Sequence, residues 1–243
     1  MNDQKPAVVL VHGAFADASS WNGVIERLQQ QGVEVVAAAN PLRSVATDAA
    51  YVRDVIAGIG RPVVLVGHSY GGFVITEAGA ANDAVVGLVY VNAFVPDHGD
   101  TAFDLSTSLP GSTLGDALTA YPVSTGGDEF VIRPELFNHQ FAADVPAAQA
   151  ALMAATQRPV TQAALTEPLP AEVPAWRTAP SWFVFSDEDL NIPVAVHRVG
   201  AERASSRGTR EVAGASHAIS VSRPDAVAES ILEAVSALAP VSA

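Results

Sequence analysis

The sequence contains no cysteine and a single lysine among 243 residues. Without thiols, neither a disulfide framework nor a thiolate metal site can hold the fold. Basic residues are scarce: 13 Lys and Arg stand against 26 Asp and Glu, a formal net charge of −13 at pH 7. Nucleic-acid binding rests on Lys and Arg neutralising phosphates, so this balance argues against nucleic-acid partners. It equally disfavours anionic membrane surfaces and polyanionic substrates. No apolar stretch approaches the ~18 residues of a membrane span. The run AVVLV before His12 is too short for a signal-peptide core. The expectation is a soluble, cytoplasmic protein with no membrane partner.

What is present is a large apolar fraction, 49% of residues. That removes disorder from consideration and, at this length, fits one large domain. Strand-like runs recur at 7–12, 33–39, 62–68, 85–94, 181–186 and 209–214. The first four are almost unbroken in apolar residues, as strands buried on both faces of a parallel sheet should be. Helical patterns lie between them. Ser20 to Gln31 ends at Gly32 as a C-terminal cap. Residues 47–59 place Tyr51, Val52, Val55, Ile56 and Ile59 on one side. The last helix opens with Ser222-Arg-Pro-Asp225, read as a serine cap. This alternation predicts an α/β fold, a doubly wound and mostly parallel sheet of about six strands.

Alternation fails between Phe94 and Trp176, a segment holding nine of the 16 prolines and the aromatics Phe103, Tyr121, Phe130, Phe137 and Phe141. Only VPAAQAALMAATQ reads there as a clear helix. A segment this long is not plain loop. The expected division is a core of residues 1–94 and 177–243 with a helical cap, 95–176, inserted over the C-terminal strand ends, where open α/β sheets bind ligands.

The most informative stretch is VLVGHSYGG, 64–72. Gly67-x-Ser69-x-Gly71 follows a buried strand and opens a helix, as a nucleophile elbow requires. A serine needs a base, and the base needs an orienting group. Of the six histidines, His12 and His68 sit inside strand-end motifs and are expected to make local hydrogen bonds. His98, His139 and His197 read as surface or cap residues. His217, in GASHAISVS, follows the last strand and emerges at the edge that carries the elbow, which makes it the candidate base. The candidate acid is one of Asp187, Glu188 and Asp189 after SWFVFS. Strand alternation and the turn before Ile192-Pro193 favour Asp189, with Asp187 the competitor. The loop His12-Gly13-Ala14-Phe15 and the amide of Tyr70 are candidates for an oxyanion hole.

Together VLVHGAFADASSW, VLVGHSYGG, SDEDLNIP and GASHAISVS resemble, in order, the motifs of the α/β-hydrolase superfamily. The resemblance is nearest to the small cofactor-free members grouped with plant methylesterases, hydroxynitrile lyases and bacterial esterases. It implies that the acid is the residue four before the proline of the Ile-Pro pair, Asp189, and that the oxyanion amides belong to Ala14 and Tyr70. Plant-type hydroxynitrile lyases carry threonine at the position of Gly13 and lysine at that of Ala218, so the resemblance is to the hydrolase side. Epoxide hydrolases and haloalkane dehalogenases use aspartate where this chain has Ser69.

The expected function is hydrolysis of a small carboxylic ester through an acyl-enzyme on Ser69, with His217 and Asp189. No metal and no organic cofactor is expected. Phe15, Phe94 and Phe141 are the candidates for an apolar substrate pocket. Alternatives on the same motifs are a lactonase or perhydrolase, a cofactor-free lyase or dioxygenase, and a non-catalytic binder of small ligands. A homodimer is left open.

Overall fold

β1 (Ala7–Val11) is buried at every position, and its residues alternate between two apolar layers. Ala7, Val9 and Val11 face one side of the sheet, Val8 and Leu10 the other. The computed structural model describes residues 5–239; the outermost ends of the two expected core segments, 1–4 and 240–243, lie outside the described residues.

After β1, a 3₁₀ turn (Ala18–Trp21) leads into α1 (Asn22–Gln30), which ends at Gly32 with φ 68°. β2 (Val35–Ala38) follows, then α2 (Val45–Ile59), capped by the Ser44 hydroxyl and closed by left-handed Gly60. The buried side of α2 is Val45, Asp48, Ala49, Val52 and Ile56. Tyr51, expected among them, is on the exposed edge. β3 (Val63–His68), α3 (Gly71–Ala78) and β4 (Val85–Val91) complete the first half.

Residues 95–176 contain more than the expected helices. α4 (Ala102–Thr107) and α5 (Leu114–Ala117) precede an antiparallel hairpin of β5 (Leu118–Pro122) and β6 (Asp128–Ile132). After α6 (Pro134–Phe141) and α7 (Ala147–Thr156), β7 (Val160–Thr161) adds a third strand to that sheet, and α8 (Gln162–Thr166) follows. This small sheet was not anticipated, because its strands are short and, apart from Ile132 and Val160, incompletely buried. Phe137, Phe141 and Ala150 share one apolar cluster with Leu65, Tyr70 and Phe73, so the segment packs into the core of the main sheet.

The chain then resumes its alternation with β8 (Ser181–Ser186), α9 (Val194–Arg203), β9 (Gly208–Val212), the short α10 (Ile219–Ser222) and α11 (Pro224–Leu238). The main sheet has the order β2-β1-β3-β4-β8-β9, and all of its pairs are parallel. One correction concerns α11: Ser222 does not cap it. Ser222 ends α10, its buried hydroxyl has no partner among the described residues, and Pro224 begins α11 with no side-chain cap. Proline's fixed φ suits the first helical position. Asp225 instead pairs with Arg27 of α1.

Candidate active site

β3 runs directly into the turn Gly67-His68-Ser69-Tyr70-Gly71. Ser69 has φ 56°, in the left-handed region, which costs a non-glycine residue about 1–2 kcal/mol. The Gly72 N–H closes the turn by donating to the Ser69 carbonyl at 2.9 Å. Its neighbours must lack side chains. A Cβ at Gly67 would stand 2.6 Å from the Gly71 carbonyl oxygen, and one at Gly71 2.5 Å from that of Val11. Phe15 after β1 (φ 61°) and Asn92 after β4 (φ 41°) are left-handed as well. Such strain gathers where a particular geometry serves function.

His217 lies on the loop between β9 and α10, and its Nδ1 is 2.7 Å from Asp189 Oδ2. An ionised carboxylate only accepts, so Nδ1 carries the proton and Nε2 of the neutral ring is an acceptor. That Nε2 is buried and has no hydrogen-bond partner among the described residues. The ring rests against the elbow: its centroid is 4.6 Å from that of His68, and His68 Nε2 donates to the His217 carbonyl at 3.0 Å. The His217 ring therefore sits against His68, the residue before Ser69, and no hydrogen bond joins it to Ser69. Catalytic bonds often tighten only when substrate arrives.

Asp189 has a side chain fully shielded from solvent. Its Oδ1 accepts from the amides of Asn191 and Ile192 at 2.7 and 2.9 Å. Burial alone would raise its pKa; the adjacent His217 and hydrogen bonds from His197 and His217 outweigh burial and hold the carboxyl well below the usual range. Asp187 is exposed and accepts from the Gly214 amide at 2.7 Å, well occupied away from His217.

The Ala14 and Tyr70 amides donate to no protein acceptor among the described residues, whereas the neighbouring Phe15 amide donates to the Arg158 carbonyl at 3.1 Å. The loop after β1 is pinned by Asn40 Nδ2, which donates to the His12 carbonyl at 2.9 Å. Ala14, Phe15, Ser69, Tyr70 and Phe94 line one cavity of about 380 Å³, whose wall also takes residues of α4 and α5. Phe141 is not in that wall. It packs against the His217 ring in a T-shaped pair, centroids 4.9 Å apart. Among the described residues, no group of three His, Cys, Asp or Glu side chains could hold a metal ion.

Two neighbours were not legible as site residues. His197, expected at the surface or in the cap, is buried, and its Nε2 lies 3.2 Å from Asp189 Oδ2. Asn92 donates through Nδ2 to Ser186 Oγ (2.7 Å) and to the carbonyls of Ser216 and His217 (both 3.1 Å), and accepts from the Ser186 amide at 2.7 Å. It ties β4, β8 and the His217 loop together. His12 and His68 make the local bonds expected of them, His12 Nδ1 donating to the Gly13 carbonyl at 2.9 Å. His98 and His139 are exposed.

Residues 8–230 match the model of the alpha/beta hydrolase family. The chain belongs to that family. An alpha/beta hydrolase of Aspergillus novofumigatus, nvfD, is 28% identical over 95% of this chain and 96% of its own. A carbendazim hydrolyzing esterase of Nocardioides sp. is 36% identical over 110 residues, 40% of this chain and 46% of its own. Among solved structures, polyneuridine aldehyde esterase superposes with a TM-score of 0.80 at 21% identity, covering 95% of this chain and 99% of that one. This α/β hydrolase thus falls in a group whose relatives include esterases, and the structural likeness confirms the fold. No helix among the described residues is long and apolar enough to cross a membrane.

Proposed function

We propose that this α/β hydrolase cleaves a small carboxylic ester through an acyl-enzyme on Ser69. Ser69 Oγ attacks the ester carbonyl while His217 Nε2 takes its proton. Asp189 holds the ring in the Nδ1–H tautomer and stabilises the imidazolium. The amides of Ala14 and Tyr70 donate to the tetrahedral oxyanion, an effect on the order of 10²–10³ in turnover for each donor. His217 then returns its proton to the leaving alcohol and activates the water that releases the acid. Residues 95–176 act as the cap that shapes the substrate cavity.

The observation that carries this reading is the His217 Nδ1 to Asp189 Oδ2 contact of 2.7 Å, on a ring packed against the residue before the strained Ser69, with Nε2 unpartnered among the described residues. The test is hydrolysis of p-nitrophenyl esters, acetate through decanoate, by wild type and Ser69→Ala. The proposal expects turnover of one or more esters by wild type and none by the variant. Equal rates for the two proteins would sink it.

A further inference from the structure

We infer that His197 is a positioning residue for the Asp189–His217 pair, a third imidazole that shares the carboxylate and fixes its orientation. The inference rests on the triad reading above and adds a residue to it.

The Asp189 carboxylate receives four hydrogen bonds, two on each oxygen. Backbone amides of Asn191 and Ile192 occupy Oδ1; His217 Nδ1 at 2.7 Å and His197 Nε2 at 3.2 Å converge on Oδ2. Both imidazoles are 1% exposed and the carboxylate 0%, so protein donors alone replace its hydration. A carboxylate offers lone pairs only, so His197 must present Nε2–H. That nitrogen is aimed by its surroundings. Pro193, four residues earlier, immediately precedes α9, and the His197 ring stacks on Phe185 of β8 at 5.3 Å and 20°. Strand β8, the short loop after it that carries Asp189, and the helix that follows therefore hold donor and acceptor as one unit.

Two consequences follow for His217. With Oδ2 anchored by a second donor, the carboxylate cannot rotate away from Nδ1, so the tautomer needed for proton abstraction is maintained. A second donor on the same oxygen also draws on the charge that stabilises the His217 imidazolium. Removing it should make His217 more basic. The remaining titratable or charged groups around the cluster are His68 and His12 at the ends of β3 and β1, Asp144 from the α6–α7 loop with its partner Arg223, the exposed Asp187 and Glu188, and the Arg198–Glu211 pair beside His197. None of these bonds Asp189 Oδ2.

The experiment compares wild type, His197→Phe and His197→Gln in pH profiles of kcat and kcat/KM with the best p-nitrophenyl ester. Phenylalanine keeps a ring against Phe185 and removes the donor; glutamine restores an N–H. The expected result for His197→Phe is a kcat lower by about tenfold, the order of one hydrogen bond to a charged group. KM should hold, and the acidic limb should move to higher pH. His197→Gln should recover most of the loss and the original limb. An unchanged His197→Phe, or equal loss in both variants with no movement of the limb, overturns the inference. A Ser69→Ala control separates the two readings: if it is inert while His197→Phe is normal, only the His197 role fails, and if it stays active the triad itself is wrong. Independently of variants, nitrogen-15 NMR of wild-type histidines should show His197 as the Nε2–H tautomer. The Nδ1–H tautomer would overturn the inference even where no variant folds.

Discussion

The Tyr70 hydroxyl donates to Asp48 Oδ2 at 3.0 Å, tying the residue after the elbow serine to α2. Asp48 is fully buried; both its oxygens also accept from the Arg43 amide, at 3.0 and 3.1 Å. Burial raises the pKa of each group, and the Tyr70 phenol further rises against the neighbouring carboxylate. Tyr70→Phe leaves Asp48 with backbone donors from Arg43 and Ser44, a loss of about 1–3 kcal/mol. The Tyr70 backbone is held at the start of α3, where its carbonyl accepts from the Phe73 amide at 2.9 Å. Ester turnover by Tyr70→Phe is therefore expected to stay within about threefold of wild type, near 0.6 kcal/mol in barrier height. Urea unfolding and a p-nitrophenyl ester assay on one preparation check both. A collapse of turnover at unchanged stability would show that the hydroxyl, beyond the amide, serves the chemistry.

Gly13 stands where no side chain fits. A Cβ there would meet Ser69 Cβ at 2.6 Å and the His68 carbonyl oxygen at 2.8 Å, with Ser69 Oγ at 3.2 Å. Those atoms are elbow backbone and the candidate nucleophile, none of them the end of a flexible side chain. Gly13→Ala must push the β1 loop away from Ser69 and carry the Ala14 amide with it. Turnover is expected to fall by about 10² or more, the scale of a lost oxyanion donor, and stability by roughly 1–3 kcal/mol, as for overpacking. Gly13→Thr should be worse on both measures. Wild-type turnover in Gly13→Ala would remove the Ala14 amide from the proposed oxyanion hole.

The parallel sheet was legible because burial on both faces leaves an unbroken apolar run, and β1, β3 and β4 carry one each. The elbow was legible because its constraints are local: strand, glycines, serine and helix fall within nine residues of sequence. His217 was legible from strand order, since loops that leave successive parallel strands emerge at one edge; the same order placed the acid among Asp187, Glu188 and Asp189, and the turn before Ile192-Pro193 favoured Asp189. His197 was not legible. Its partner lies eight residues back, but the contact depends on how α9 is rotated against β8, which the mild apolar pattern of VAVHRVGAER does not reveal. Asn92 was hidden for a similar reason: its left-handed backbone and four partners exist only once β4, β8 and the His217 loop meet. The three-stranded sheet escaped because LTAYP and DEFVI are partly polar and pair only with each other and with two residues of β7.

Two buried histidines should make the fold sensitive to mild acid. Burial lowers His12 from 6.5 to about 4 and His68 from 6.5 to about 3. In the unfolded chain both protonate near 6.5, so the unfolded state binds more protons between that value and each folded value. Stability is complete above pH 6.5 and falls as pH drops, by about 1.4 kcal/mol per pH unit for each neutral imidazole. Asp48, with a raised pKa, opposes this slope just above its ordinary value, and Asp189, held low, loses its contribution only at still lower pH. Urea midpoints between pH 7.5 and 4.5 (roughly the span set by these pKa values) should show the decline in wild type. His68→Gln should have a slope shallower by about one histidine. Parallel slopes for the two proteins would mean that His68 does not titrate on unfolding.

The cavity beside Ser69 sets a preference by charge. Among the described residues, Asp116, which is exposed, is the single charged residue in the wall, and none that line it is basic. A substrate carboxylate entering it would lose hydration with no cation to pair with, and would approach a like charge. Esters with a free carboxylate on the acyl chain should therefore have higher KM than neutral esters of equal length. The contribution of an exposed charge is small, about 0.2–1 kcal/mol, or up to roughly fivefold. Asp116→Asn should narrow the gap by that factor and leave neutral esters unchanged, with the difference shrinking as salt is added. The desolvation part should survive both the variant and the salt, because it comes from the apolar wall of Phe15, Phe94 and Ala102. If Asp116→Asn improves neutral and anionic esters alike, the residue acts on access to the cavity, and charge selection in its wall is refuted.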